Sequence, residues 1–260
     1  MSSEDQLRPS RGLSGIKRLV LPVSIVVGFV VLCALGSWQV HRLHWKNDLI
    51  ARVELRSKAA PKSIDSIDLD NTPGEQLDYV PAFANGTFLH DHETYFFATH
   101  KGTTGWFVYT PLQRADGTFL IVNRGFVPYE MKEPSLRSEG QIADSQLVVG
   151  LLRQTLARKP GRFLPDNEPN KNIFYWKDIK SMAQTSGLDV SKVLPVFLDA
   201  SDVPNPGGFP IGGVTRMSFP NNHLQYAITW FGLAAALLCV GASFMWTRRR
   251  GNSISERVPD

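Results

Sequence analysis

Two long uncharged segments, one near each end of the chain, constrain this sequence more than any other feature. Residues 19–40 and 224–246 contain no Asp, Glu, Lys or Arg. A helix of either length is about 33–35 Å long, which is enough to cross a bilayer core of about 30 Å with slight tilt. The sequence therefore predicts a lipid-embedded protein with two transmembrane helices, residues 19–41 and 223–246. A central segment, residues 42–222, joins them.

The first segment also has to be distinguished from a cleaved signal peptide. Basic residues precede it, and Ala34-Leu35-Gly36 resembles a small-residue cleavage site. The apolar character continues beyond that site through Trp38 and Val40, which favours an uncleaved anchor. Gly36 could also allow close contact with the second helix, near Gly232 or Ala235.

Basic residues next to both segments predict the orientation in the membrane. Four of them precede the first segment: Arg8, Arg11, Lys17 and Arg18. Three arginines, 248–250, follow the second. By the positive-inside rule both tails, residues 1–18 and 247–260, are cytoplasmic. Basic residues at positions 42, 46, 52 and 56 favour the opposite orientation, but a long loop is translocated across the membrane largely regardless of its charge.

The N-terminal tail and the net charge bear on the cell compartment and on partners. Glu4 and Asp5 argue against a mitochondrial presequence, so we expect a bacterial inner membrane protein with its central domain in the periplasm. The formal net charge of +4 is explained by the basic tails, so no nucleic acid partner is expected.

The central segment has the pattern of a β domain that follows a helical stalk. Residues 42–60 are helical in pattern and end at Pro61. From Tyr79 onward, runs rich in aromatic and β-branched residues alternate with turn residues, and Asp116-Gly117 predicts a tight hairpin. A short helix should end at Gly187, and late strands are expected at 194–201 and 211–219. We therefore predict a mainly antiparallel, barrel-like exported domain with short helices.

Cysteine usage and motif content limit the chemistry of this domain. The two cysteines, Cys33 and Cys239, lie one in each apolar segment, so the central domain has neither a disulfide nor a thiolate metal site. Neither G-x-S-x-G nor H-E-x-x-H occurs. His90 and His92 would share one face of a strand and could hold a metal, but a third ligand is not visible, and two histidines at a strand end are more often surface polar residues.

The stretch "VNRGFVP", residues 122–128, predicts a sharp bend in a strand, because Gly125 relieves the restriction on φ. Such a bend would bring Asn123 and Arg124 to the mouth of a barrel. One interpretation is a bulge with Arg124 paired to a carboxylate. The other is an arginine that binds an anionic group, such as a propionate, with its planar guanidinium.

The second apolar segment opens with "NNHLQYAITWF", which places His223, Tyr226 and Trp230 on one side of a helix. His223 would lie in the first turn, where the positive end of the helix dipole disfavours a protonated ring, and a neutral imidazole binds metal. Tyr226 and Trp230 would form an apolar wall beside it. A polar residue with an aromatic belt at the membrane interface is the alternative interpretation.

Four stretches, taken in order, resemble the Surfeit locus family of assembly proteins for haem–copper terminal oxidases. They are "GSWQVHRLHWKNDLI", "VNRGFVP", "PDNEPNKNIFYWKDIKSMA" and "NNHLQYAITWFGLA". The resemblance covers the chain from about residue 36 to 246 and leaves both tails outside.

The resemblance implies a non-enzymatic role in the biogenesis of cytochrome c oxidase, with provision or insertion of haem a. His223 matches the position of a histidine that serves bacterial members of the family in haem binding, so it is the candidate iron ligand. Trp230 and Tyr226 are candidate pocket residues. Arg124 is a candidate only because it belongs to the matching stretch "VNRGFVP". The expected partners are the oxidase catalytic subunit and haem a synthase. A membrane-anchored scaffold that stabilises assembly intermediates without binding haem is the alternative function.

Overall fold

A computed structural model describes residues 12–215, 217 and 219–255, and gives side chains for residues 19–215, 217 and 219–247. The chain divides into two compact units. One consists of Met1–Ala51 with Phe219–Asp260, and the other is Arg52–Ser218. Most of the two predicted cytoplasmic tails lies outside the residues whose side chains are described.

Two long helices, α1 (Gly12–Ser57) and α4 (His223–Ser255), dominate the terminal unit. Both contain stretches long and apolar enough to cross a membrane, Leu19–Ser57 and His223–Thr247. The predicted first span and the predicted stalk form one continuous helix, which ends shortly before Pro61. Two apolar helices that flank a β domain agree with the predicted fold class.

α4 contacts α1 through a regular seam. Between residues 223 and 247 the only side chains that are not exposed stand at positions 223, 227, 230, 234, 237 and 241. This alternation of four and three residues is the spacing of a heptad repeat, which keeps one stripe of a helix facing its partner. Each heptad contributes two positions to this stripe, and one of the two is always a small residue: Ala227, Ala234 and Gly241.

Small residues bring the two helices close together. A Cβ added to Gly36 of α1 would lie 2.7 Å from the ring of Phe231, and one added to Gly241 would lie 2.9 Å from Ile25. The predicted close approach at Gly36 is therefore confirmed, with Phe231 as its neighbour. At Gly232, one of the two expected contact points, no described atom outside the adjacent part of α4 comes within 4 Å of the position that a Cβ would take.

The β domain is a closed five-stranded barrel with additions. Its strands are β1 (Lys62–Ser63), β2 (Pro81–Phe88), β3 (Thr94–His100), β4 (Thr103–Gln113), β5 (Phe119–Pro128), β6 (Gln146–Gln154), β7 (Ile173–Phe174) and β8 (Val193–Ala200). The ring runs β2-β6-β8-β5-β4 and closes because β4 also pairs with β2. β1 extends it beside β2, while β3 and β7 extend it beside β4. The pair β5–β8 is parallel and the other four pairs of the ring are antiparallel. An odd number of strands cannot alternate in direction around a closed ring, so one parallel pair is required.

Two apolar clusters pack on opposite sides of the sheet. One contains Leu120, Val122 and Leu198, all fully buried. The other contains Ile121 and Phe197, whose side chains alternate with those residues along β5 and β8, and it packs against α3 (Ile179–Thr185). A four-residue helix, α2 (Gly74–Leu77), precedes β2.

Local predictions had different outcomes along this domain. The hairpin at Asp116-Gly117 is confirmed, with Gly117 at φ +80°, and so is the helix end at Gly187, at φ +67°. The predicted strand over 211–219 is wrong. Within its described residues only Ile211 forms a bridge, to Phe126, and residues 216 and 218 lie outside the described part of the chain.

Candidate functional site

His223 is the first residue of α4 and is half-buried. Its Nδ1 lies 2.7 Å from Oε1 of Gln39 on α1, a side chain that is only 8% exposed. An amide oxygen accepts hydrogen bonds and cannot donate them, so Nδ1 carries a proton. In the neutral ring Nε2 then keeps its lone pair, and no described residue forms a hydrogen bond with it. A ring held through one nitrogen, with the other available, is the arrangement of a metal-binding histidine.

Polar contacts between the two helices fix the entry to α4. Asn221 Nδ2 donates to Asn47 Oδ1 at 2.8 Å, and Lys46 Nζ donates to the carbonyl of Pro220. The backbone N–H of Tyr226 donates to the carbonyl of Asn222, which closes the first turn. These contacts hold the start of α4 beside α1, where Gln39 can reach His223.

The seam separates the two predicted aromatic residues. Trp230 stands one heptad after His223, on the same seam position, and is half-buried. Tyr226 is 55% exposed and lies outside the seam. The predicted stripe therefore consists of a pair that faces α1, His223 and Trp230, with Tyr226 on the open side next to it.

Arg124 lies at a β-bulge, which the first of the two sequence interpretations, a bulge with Arg124 paired to a carboxylate, requires. Val108 pairs with Gly125 and Tyr109 pairs with Asn123, so Arg124 has no partner on β4. Gly125 has φ +130°, and a Cβ there would overlap the carbonyl of Ile211. Only glycine allows this approach.

The guanidinium of Arg124 is turned into the domain and does not reach an exposed mouth. The residue is 4% exposed, lies 3.6 Å from a carboxylate oxygen of Glu93 and donates to the carbonyl of Gly140. The carboxylate-paired alternative therefore describes its geometry. The guanidinium of Arg124 therefore lies in the interior of the β domain.

Glu93 is the centre of a buried charge cluster that sequence reasoning missed. Its carboxylate receives two hydrogen bonds from Arg137, and both side chains are 1% exposed. Burial by itself raises the pKa of Glu93. The neighbouring His90, Arg137 and Arg124 act in the opposite direction and hold the pKa at about 2. The two arginines are distant in sequence from Glu93, so no local pattern signals this cluster.

The predicted geometry for the histidine pair is wrong. His90 and His92 lie in a 3₁₀ turn and not on a strand. His90 Nε2 is 2.9 Å from the carbonyl oxygen of Ile142, and His92 Nδ1 is 2.6 Å from that of Ser186. Across the described residues no cluster of three or more His, Cys, Asp or Glu side chains is arranged to hold a metal ion.

Comparison with known proteins decides the family. The sequence model of the SURF1 family matches residues 26–235, which include most of the first candidate span, about half of the second and the whole β domain. The chain belongs to the SURF1 family. This confirms the family resemblance of the four sequence stretches, and the matched range contains His223, Trp230, Tyr226 and Arg124.

Relatives in this family are similar over most of their length. Surfeit locus protein 1 of Rattus norvegicus is 38% identical over 234 residues, 83% of this chain and 71% of the rat protein. Its Homo sapiens counterpart is 35% identical over 239 residues, 85% of this chain and 74% of the human protein. A SURF1-like protein of Monosiga brevicollis is 34% identical over 239 residues, and the match covers 87% of each chain.

Proposed function

We propose that this chain is a non-enzymatic assembly factor for a haem–copper terminal oxidase, and that it binds haem a through His223 before the haem reaches the catalytic subunit. Membership of the SURF1 family, known as cytochrome c oxidase assembly factors, supports the assembly role. The observation that carries the haem role is the His223 ring, bonded through Nδ1 to buried Gln39 with Nε2 available.

The residues around His223 fit a haem. Its Nε2 is a nitrogen donor of the kind that haem iron accepts as an axial ligand. Trp230 lies one heptad after His223 in the seam, and Tyr226, 55% exposed, supplies flat apolar surface on the open side next to it. Haem a, when bound, supplies the redox-active iron that the oxidase requires.

Gln39 sets the orientation and the tautomer of the ligand. Its amide oxygen accepts the Nδ1 proton, which points Nε2 away from Gln39 and raises the electron density available to a metal. With one histidine ligand on this chain, the site should hold haem less tightly than a bis-histidine site would. That property suits delivery to a partner.

The proposed compartment is the bacterial inner membrane, with both termini in the cytoplasm and the β domain in the periplasm. Two candidate spans at the ends of the chain and the basic residues of the tails support this orientation. The proposed partners are the oxidase catalytic subunit and haem a synthase.

Purification of the full chain in detergent from cells that make haem a tests the proposal. The wild-type protein should carry a Soret absorption band. The variant His223→Ala should lose most of that band because the iron loses its ligand. His44→Ala, at an exposed histidine of α1, is the matched control and should keep wild-type haem content.

Two results would contradict the haem role in different ways. A wild-type protein that copurifies with oxidase subunits but has no Soret band would favour the scaffold function. A His223→Ala variant with full haem content would place the ligand elsewhere. Gln39→Leu separates orientation from ligation, since haem affinity should fall by about tenfold while the ligand itself remains.

A further inference from the structure

A cavity of about 600 Å³ lies within the β domain, among residues of β3, β4, β5, β6 and β8. This volume is in the range of small-molecule sites, which often lie at the mouths of β-barrels. The cavity has an apolar wall and a charged wall, and all its lining residues belong to the unit Arg52–Ser218. It therefore shares no residue with the site at His223.

The apolar wall is flat and aromatic. Phe96 of β3 pairs in register with Phe107 of β4, and their rings are nearly parallel, with centroids 6.3 Å apart and an interplanar angle of 23°. The ring of Tyr109 lies 6.2 Å from that of Phe96. Phe96 and Phe107 both line the cavity and are only half-buried, so part of each ring is open toward it.

The charged wall favours an anion. Among the charged side chains that line the cavity, Lys101, Arg153 and Lys177 are cationic, and Asp199 is anionic. Asp199 already accepts hydrogen bonds from Asn123 at 3.1 Å and from Thr215 at 2.9 Å. Its carboxylate is thus largely satisfied by the protein.

Arg153 and Lys177, the two partly buried cations, differ in how far the protein satisfies them. Arg153 donates from Nε to Asp78 at 2.8 Å and stacks on Tyr79 at 4.1 Å. Its position is fixed by protein groups, and it contributes positive charge without being free to move toward a ligand.

Lys177 is the cation with donors to spare. Its ammonium has three donors, and its one described hydrogen bond is to Asp199, at 3.5 Å. The faces of Tyr109 and Phe197, at 5.8 and 5.7 Å, accept no conventional hydrogen bond. Burial lowers the pKa of Lys177, and the neighbouring Asp199 acts in the opposite direction without reversing it. An anion in the cavity would complete the compensation.

We propose that this cavity binds a planar conjugated carboxylate, with its ring system on the faces of Phe96 and Phe107 and its carboxylate accepting hydrogen bonds from Lys177. The site combines apolar area for affinity with one charged donor for orientation, which is the usual composition of a small-molecule pocket. It does not depend on the haem role of His223.

A pair of probes that differ in charge alone tests this site. 2-Naphthoate and its uncharged counterpart 2-naphthamide are titrated into the full chain in detergent by calorimetry. The wild-type protein should bind the carboxylate at least about tenfold more tightly than the amide, the usual value of a charge-assisted hydrogen bond. Lys177→Met should bind the carboxylate no better than the amide. Lys180→Met, at an exposed lysine three residues away, should behave as wild type.

A cavity-filling variant covers the case in which Lys177→Met fails to fold. Ala98→Phe adds a large ring to the cavity lining without touching the charged wall and should abolish binding of both probes. His223→Ala should leave both affinities unchanged, which separates this site from the haem proposal. Absence of saturable binding to the wild type, equal affinity for the two probes, or binding retained in Ala98→Phe would overturn the proposal.

Discussion

The helical unit and the β domain differ in the kind of polar side chain that they bury. The seam between α1 and α4 pairs an amide with an imidazole, Gln39 with His223, among apolar and small residues. The β domain buries full charges, with Glu93 and Arg137 each 1% exposed. A helix pair in lipid has few groups with which to compensate a charge, whereas a closed barrel surrounded by 3₁₀ turns offers many donors and acceptors. Polarity in each unit is therefore limited by the partners that its architecture supplies.

The largest expected effect comes from breaking the buried ion pair. Arg137→Leu removes both hydrogen bonds from the Glu93 carboxylate and leaves its buried charge poorly compensated. The β domain should lose about 3–5 kcal/mol of stability, measured as the free energy of unfolding in urea by tryptophan fluorescence. Arg158→Leu, at an exposed position, should change it by less than about 0.5 kcal/mol. Equal behaviour of the two variants would show that the pair is not essential to the domain.

Acidification tests the same buried charge cluster and should lower the stability of the β domain by a somewhat smaller amount. The pKa of Glu93 is about 2 in the folded protein and 4.5 ordinarily, so the folded state favours the ionised form. Its stabilisation is complete above about pH 4.5 and is lost as the pH falls toward 2, to a total of about 3 kcal/mol. The urea midpoint of the wild type should fall steeply from about pH 5 to about pH 3. In Glu93→Gln the fall should be shallower, and parallel curves would assign the acid sensitivity to other groups.

Overpacking tests the seam and should have the smallest effect. Ala234 is 2% exposed within the heptad stripe, and its neighbour Ala235 is exposed. Ala234→Leu should separate α1 from α4 and lower stability by about 1–3 kcal/mol, seen as an earlier loss of helical circular dichroism on heating. Ala235→Leu adds the same volume outside the stripe and should leave the melting curve unchanged. If Ala235→Leu proved the more damaging variant, the assigned seam would be on the wrong face.

Features that depend on a few neighbouring residues were predictable. Uncharged runs predicted both long helices, Asp116-Gly117 predicted the hairpin, and Gly125 predicted the bulge in β5. Each depends on local sterics or on hydropathy over one segment, so the adjacent residues alone carry the signal. The same local reasoning failed at residues 211–219, because an apolar, β-branched pattern does not show whether a pairing edge is available to that strand.

The sequence by itself determined that two lipid-compatible helices enclose a β-rich segment and that a histidine begins the second helix. Only the tertiary structure decided what that histidine touches, since Gln39 stands 184 residues before it along the chain. It also decided that Arg124 points inward to Glu93 and that Lys177 borders an aromatic cavity. Hydropathy and turn preferences are properties of adjacent residues. Hydrogen-bond and ion-pair partners are chosen by barrel closure and helix packing, which bring distant residues together.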